Sequence, residues 1–106
     1  MPLFAVIGLD YPPHAMERRD AVRDAHRAYV LGNDEPIAFV GVCLDDDDNQ
    51  CASLYVFEAE SEQQVRDWLA EEPFVREGVY EQIIVRRFMP GLNRLPQQDW
   101  PARTAS

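Results

Sequence analysis

The side chain best suited to acid/base chemistry is His26, one of two histidines in the sequence. It lies in a segment whose apolar positions recur at i, i+3, i+4 and i+7, the spacing of one helix face. The residues at these positions are Val22, Ala25, His26 and Tyr29. Because imidazole titrates near neutral pH, a carboxylate beside His26 would make it a general acid or base. A hydrogen-bonded core histidine fits the same spacing, since no neighbouring residue completes a catalytic set.

Arginine supplies all the positive side-chain charge of this chain. The ten cationic residues are all Arg, which excludes Schiff-base chemistry on a lysine and a phosphate-binding P-loop. Arg23 lies three residues before His26 on the flank of the stripe and could bind an anionic group through its planar fork. An ion pair with a neighbouring acid such as Asp20 is the alternative. The solvated faces of this helix are predicted to carry Arg18, Arg19, Asp20, Asp24 and Arg27.

His14 and the acidic run at 45–48 do not have the spacing of metal sites. His14 lies in a Pro-Pro-His loop, and its twelve-residue separation from His26 is not a metal-ligand spacing. An EF-hand loop starting at the acidic run would need glycine sixth and glutamate twelfth. The sequence has Gln50 and Val56 at these positions. We therefore predict a solvated loop and no bound metal.

Three candidate nucleophiles also lack a supporting motif. Ser53 is outside any G-x-S-x-G turn, so it is not predicted to be an activated serine. Cys43 and Cys51 do not form a C-x-x-C pair, and we interpret them as small strand residues that lie near each other.

Composition limits the partners of the chain. Its 106 residues predict one domain, and 46% hydrophobic residues are enough for a core. The net charge of −9 argues against nucleic acid and against an anionic membrane surface. No signal peptide and no apolar run of about 18 residues is present, so a cytoplasmic protein with reduced thiols is predicted.

The hydrophobic patterns predict strands and helices in the order β-α-β-β-α-β. The predicted elements are 3–9, 15–31, 36–44, 52–59, 61–72 and 80–88. This order is typical of the ferredoxin-like α+β fold, a four-stranded antiparallel sheet with two helices on one face. We predict a domain over 1–90 and an irregular tail over 91–106, in which Trp100 is a possible anchor.

The predicted strands are apolar at both odd and even positions. In the first strand, for example, Phe4 and Val6 alternate with Ala5 and Ile7. Two helices can cover only one face of a sheet, and a face exposed to water would be polar. We therefore predict a homodimer in which two sheets face each other.

Four segments resemble those of the YCII-related family. The stretch from Arg19 to Tyr29 matches R-x-x-x-R-x-x-H-x-x-[YL] of that family. Segments 39–47, 53–61 and 72–81 are similar to F-A-G-P-L-x-D-D, S-L-x-V-x-E-A-E-S and D-P-F-V-x-A-G-L-F-E. Together the four segments extend the resemblance over about residues 3 to 90. The resemblance implies a dimeric α+β barrel and a cleft built around a His–Asp pair.

Carried onto this sequence, the implied pair is His26 and Glu72. Glutamate keeps the carboxylate but adds a methylene, and catalysis is sensitive to displacements of about 1 Å. Val42 stands where the family segment has proline, and Ala52 where it has glycine. All three departures lie around the implied cleft. The predicted substrate-binding residues are Arg23, Tyr29, Phe39, Gly41 and Ser53.

The resemblance also implies a reaction class. At least one family member is similar to a dehydrochlorinase acting on a chlorinated hydroxyhydroquinone, and fold relatives include muconolactone isomerase. We predict a lyase- or isomerase-type enzyme acting on a small molecule without cofactor or metal. His26 would be the general acid/base and Glu72 would orient it. The alternatives are a non-catalytic small-molecule-binding or dimerisation accessory module, and a haem- or antibiotic-related monooxygenase.

Overall fold

Four strands form one antiparallel sheet in the computed structural model, which describes residues 1–98. The elements are β1 (Leu3–Asp10), α1 (Met16–Gly32), β2 (Ile37–Leu44), β3 (Gln50–Glu58), α2 (Glu62–Ala70), α3 (Pro73–Arg76) and β4 (Tyr80–Phe88). The strand order is β2-β3-β1-β4, with every neighbouring pair antiparallel. The predicted ferredoxin-like fold is confirmed. Trp100, the predicted anchor, lies outside the described residues.

The core lies between the sheet and α2. Alternate residues of β1, β3 and β4 point to this face, because successive side chains of a strand point to opposite sides. The buried cluster comprises Phe4, Val6, Tyr55, Phe57, Ala59, Val65, Leu69 and Val85. A second cluster, formed by Ala15, Phe74, Val79 and Tyr80, lies where α1 and α3 meet the end of the sheet.

The buried stripe of α1 is rotated from the predicted one. Arg19 and Val30 are its buried residues, whereas Ala25, predicted on the stripe, is exposed. Arg19 was predicted on a solvated face, and its side chain is only 3% exposed. The prediction was wrong because a periodicity rule treats arginine as a surface residue. Here a buried carboxylate, Asp10, pairs with Arg19 and offsets its desolvation.

The break between α2 and α3 fixes the backbone of Glu72. Ser61 caps α2 by accepting a hydrogen bond from the Gln64 N–H at 3.2 Å. Pro73 disfavours helical geometry in the residue before it, and Glu72 is extended at φ −74° and ψ 125°. Pro73 then begins α3, and the Glu72 carboxylate caps this helix through the Phe74 N–H at 2.9 Å.

The face of the sheet opposite the helices is apolar and partly exposed. Strand alternation and the pairing register place Ala5, Ile7, Leu9, Phe39, Leu54, Val56 and Ile84 on this open face. Ile7, Leu9 and Phe39 are 37–38% exposed. The two-sided apolar pattern of the sequence therefore corresponds to two apolar sheet faces, of which the helices of this chain cover one.

Candidate active site

The structure brings His26 and Glu72 together across 46 residues of sequence. His26 Nδ1 lies 2.7 Å from Glu72 Oε1. The Glu72 side chain is fully buried, and that of His26 is 13% exposed. One member of the pair is therefore inside the protein, and the other reaches its surface.

Three groups converge on the Glu72 carboxylate. Oε1 accepts from the Phe74 N–H at 2.9 Å and lies beside His26 Nδ1, and Oε2 accepts from the Tyr55 hydroxyl at 2.9 Å. An ionised carboxylate is an acceptor only, so this set of donors matches the charged form. With Glu72 ionised, Nδ1 of His26 carries a proton, and in the neutral ring Nε2 is the nitrogen that has the lone pair.

Phe74 holds the His26 ring in one plane. The two rings stack with centroids 3.7 Å apart and an interplanar angle of 6°. The hydrogen bond to Glu72 fixes the rotation of the imidazole, and the stacking fixes its tilt. Both restraints come from the same short segment, because Phe74 lies two residues after Glu72 at the start of α3.

A cavity of about 320 Å³ lies beside this pair. Three arginines of α1 line it, together with His26, Ser53 and Tyr55, and its apolar lining includes Phe74 and residues of β2. The arginines are Arg19, Arg23 and Arg27. An imidazole and several guanidinium groups around a partly apolar cavity are suited to a small anionic molecule with an apolar body.

Arg19 and Asp10 form a buried ion pair that the sequence did not indicate. Arg19 Nε and Nη2 donate to the two Asp10 oxygens at 2.7 and 2.9 Å, and Nη2 also donates to Ser53 Oγ at 3.0 Å. Burial disfavours the guanidinium charge, but the hydrogen bonds and attraction of Asp10 outweigh it and raise the pKa of Arg19. Its guanidinium lies over the Phe74 ring at 5.1 Å. Arg19 is the first arginine of the stretch that resembles the YCII-related family.

The predicted binding residues divide into two groups. Arg23, Gly41 and Ser53 line the cavity. Arg23 is paired with Asp20, and the Ser53 hydroxyl accepts a hydrogen bond from Arg19.

Tyr29 and Phe39 are not among the described residues that line the cavity. The Tyr29 hydroxyl donates to the Trp68 carbonyl at 2.6 Å, and its ring packs on Trp68. Phe39 lies on the open face, where a Cβ added to Gly41 would be 3.4 Å from its ring. The apolar residues that do line the cavity include Phe74, Val30 and Val40.

Tyr55 and Tyr80 lie behind Glu72, and the sequence did not indicate them as site residues. Their hydroxyl oxygens are 2.9 Å apart, and Tyr55 contacts Glu72 directly. Burial, followed by repulsion from Tyr80 and Glu72 in their ionised forms, raises the pKa of Tyr55 well above its usual value. Burial and the Glu72 charge also raise the pKa of Tyr80. Both tyrosines therefore remain neutral hydroxyl groups throughout the physiological range.

The weaker candidates have structural roles. His14 Nδ1 accepts from the Met16 N–H at 3.3 Å, and the Asp45 carboxylate accepts from the N–H groups of Asp47 and Asn49 in a tight loop. Cys43 and Cys51 are free, with the Cys51 thiol 3.5 Å from the Cys43 carbonyl oxygen. Within residues 1–98, no cluster of three or more metal-ligating side chains is present. No helix of that range is long and apolar enough to cross a membrane.

The fold and the site together define a ferredoxin-like α+β protein with a His–carboxylate pair beside a small cavity. The chain matches the model of the YCII-related domain over residues 3–89 and belongs to this family. It is also 31% identical to an uncharacterised Haemophilus influenzae protein, over 81% of this chain and 96% of that protein.

Solved structures show the same architecture. The 5-chloro-2-hydroxyhydroquinone dehydrochlorinase of Burkholderia phenoliruptrix, in complex with 2,5-dihydroxybenzoquinone, is 29% identical with a TM-score of 0.74. The match covers 84% of this chain and 95% of that one. A Bacteroides thetaiotaomicron protein assigned to the antibiotic biosynthesis monooxygenases has a TM-score of 0.56 at 11% identity. It covers 92% of this chain and 95% of its own, and this likeness is one of fold alone.

Proposed function

We propose that this protein is a lyase- or isomerase-type enzyme that acts on a small oxygenated ring by acid/base catalysis. The observation that carries the proposal is the 2.7 Å contact between His26 and the fully buried Glu72 at the edge of the cavity. In this proposal Glu72 holds Nδ1–H and His26 Nε2 exchanges a proton with the substrate. No cofactor and no metal takes part in the reaction.

The dehydrochlorinase relative supports a phenolic or quinonoid substrate. That protein is named for a chlorinated hydroxyhydroquinone and binds 2,5-dihydroxybenzoquinone. Rings of this kind carry acidic hydroxyl groups, and their anions are suited to a cavity lined by arginines. We assign Arg23 to the anionic oxygen and Phe74 and Val40 to the apolar ring, because all three line the cavity.

The proposed elimination balances without an outside redox partner. One hydroxyl proton of the substrate first moves to the ring carbon that bears the halogen, which makes this carbon tetrahedral. His26 then takes the proton of a second hydroxyl group, and the electron pair left behind forms a carbonyl bond while the ring double bonds shift toward the halogen-bearing carbon. The halide departs with the electrons of its bond to carbon. One molecule of hydrogen halide is lost in total, and no electrons pass to an external acceptor. An isomerase would instead return the proton to another atom of the ring.

Release of chloride from 5-chloro-2-hydroxyhydroquinone by the full chain tests this proposal. We expect wild-type protein to release chloride and Arg23→Gln to raise KM roughly tenfold with little change in kcat, because one charge-assisted contact is lost. Arg66→Gln is the matched control, since Arg66 pairs with Glu62 on the exposed surface of α2. Tight binding of 2,5-dihydroxybenzoquinone without any chloride release would instead favour a non-catalytic binding module.

We also propose that a second copy of the chain covers the open face. Its apolar residues would otherwise remain in water, and a second identical sheet presents a complementary apolar surface. The Asp45–Asp48 loop follows the end of β2. Its negative charges repel those of another copy, which disfavours assemblies larger than a dimer.

Light scattering after size exclusion tests the dimer. Wild-type protein should have twice the 12.2 kDa chain mass, and Ile7→Glu should give the monomer because it places a charge on the open face. Leu31→Glu is the matched control: Leu31 is 40% exposed on α1, away from the sheet. A wild-type monomer at micromolar concentration, or an Ile7→Glu dimer, would contradict the proposal.

We further propose a cytoplasmic setting with a small molecule, rather than nucleic acid or membrane, as ligand. Free Cys43 and Cys51 are compatible with a reducing compartment. The net charge of −9 would repel phosphate backbones and anionic lipid headgroups.

A further inference from the structure

We propose that Tyr55 and Tyr80 are positioning residues, whose linked hydroxyl groups keep the Glu72 carboxylate turned toward His26. The inference deepens the proposed function and rests on its assignment of His26 as the acid/base group. It concerns side chains of β3 and β4, which approach the pair from the sheet rather than from α1 or α3.

The contacts form one line from the sheet to the imidazole. The Tyr80 and Tyr55 hydroxyl oxygens are 2.9 Å apart, Tyr55 is 2.9 Å from Glu72 Oε2, and Glu72 Oε1 is 2.7 Å from His26. Tyr55 is fully buried and Tyr80 is 8% exposed. Both contacts are buried, and buried hydroxyl groups in proteins are usually hydrogen-bonded to other protein groups.

The ionised Glu72 carboxylate determines which hydroxyl group donates in each of these hydrogen bonds. An ionised Glu72 has no proton to donate, so Tyr55 donates to it. Tyr55 has one hydroxyl proton, and the Tyr55–Tyr80 contact must therefore be donated by Tyr80. The two carboxylate oxygens consequently have different partners: Oε2 is held by the sheet, and Oε1 remains directed at His26 and the Phe74 N–H.

Glu72 needs such an anchor because of its length. A glutamate has three side-chain torsions, and the last of these turns freely when no partner restrains it. The Phe74 N–H restrains only Oε1, the oxygen that His26 also contacts. The Tyr55 hydroxyl restrains the other oxygen, so together they fix the plane of the carboxylate.

The backbone of β1 in turn sets the position of Tyr80. A Cβ added to Gly8 would lie 2.8–2.9 Å from atoms of the Tyr80 ring, so any larger residue would displace the ring. The Arg19 guanidinium lies 5.9 Å from the centroid of the same ring. The ring therefore lies against a glycine and close to a buried cation, which leaves it little freedom to move.

Nitrogen-15 NMR of the histidine side chains in the full chain, without substrate, tests the inference. We expect Tyr55→Phe to speed exchange of the His26 Nδ1 proton by roughly tenfold and to move both ring nitrogen shifts toward a mixture of tautomers. Tyr80→Phe should produce the same changes to a smaller extent. Tyr29→Phe is the matched control, because its hydroxyl binds the Trp68 carbonyl outside this line.

Wild-type ring shifts and exchange in both Tyr55→Phe and Tyr80→Phe would overturn the inference. Circular dichroism identifies a variant that fails to fold. If one tyrosine variant does not fold, the NMR result of the other one tests the inference. In a chain that turns over substrate, Tyr55→Phe should lower kcat about tenfold with KM nearly unchanged. Altered ring signals in a protein without turnover would refute the proposed function and leave the positioning role of the tyrosines intact.

Discussion

His26→Gln and Glu72→Gln should each lower turnover by roughly 10³-fold. This is within the range for loss of a general base or of the group that orients it. His26→Gln removes the only side chain proposed to exchange a proton with substrate. Glu72→Gln keeps the volume of the side chain but places an NH₂ group where a carboxylate oxygen now accepts hydrogen bonds. Of the donors on Glu72, at least one would face this NH₂ group.

The sequence supplies a matched control for each variant. His14 is the second histidine, in the loop before α1, and Glu71 is an exposed neighbour of Glu72 whose side chain is 68% exposed. His14→Gln and Glu71→Gln should retain wild-type kcat. Chloride release gives the rates, and circular dichroism shows that the variants are folded. Wild-type turnover in Glu72→Gln would remove the carboxylate from the mechanism.

Replacing Asp10 with alanine should destabilise the fold by about 3–5 kcal/mol, because it leaves the buried Arg19 charge without its carboxylate. Arg19 and Asp10 side chains are 3% and 0% exposed, and two hydrogen bonds join them. The other hydrogen-bond acceptor described for the guanidinium, Ser53 Oγ, is neutral and cannot replace the lost charge. Urea unfolding at neutral pH measures the change.

Asp20→Ala is the control for this prediction. Asp20 pairs with Arg23 on the same helix, but the two side chains are 55% and 36% exposed. Exposed pairs contribute about 0–1 kcal/mol, so this variant should unfold close to wild type. Replacing both buried partners, as Arg19→Met with Asp10→Leu, should recover much of the stability lost in Asp10→Ala. Equal losses in Asp10→Ala and Asp20→Ala would contradict the assignment of a buried pair.

The fold followed from local patterns because each element obeys a local rule. Short apolar runs indicate the strands. The Ser61-x-x-Gln64 spacing is typical of the start of a helix, and Pro73 is typical of a position just past a helix end. The apolar character of both sheet faces was also visible, because side-chain direction in a strand follows position alone. None of these features requires knowledge of a distant partner.

The site depended on contacts between distant segments, which spacing does not report. His26 and Glu72 are 46 residues apart, and only the resemblance to a family suggested that they meet. Asp10 and Arg19 went unrecognised because the burial of each depends on the other. Tyr55 and Tyr80 belong to β3 and β4, which are separated by β1, so neither pairing register nor sequence distance predicts contact between their hydroxyl groups.

The two faces of β3 carry residues of different proposed roles. Ser53, Tyr55 and Phe57 face the helices, whereas Leu54 and Val56 alternate with them on the open face. Under the proposals above, substitutions at Ser53 or Tyr55 would alter the cavity, and those at Leu54 or Val56 would alter the association of two sheets. A single replacement in β3 would then change ligand binding or assembly without changing the other.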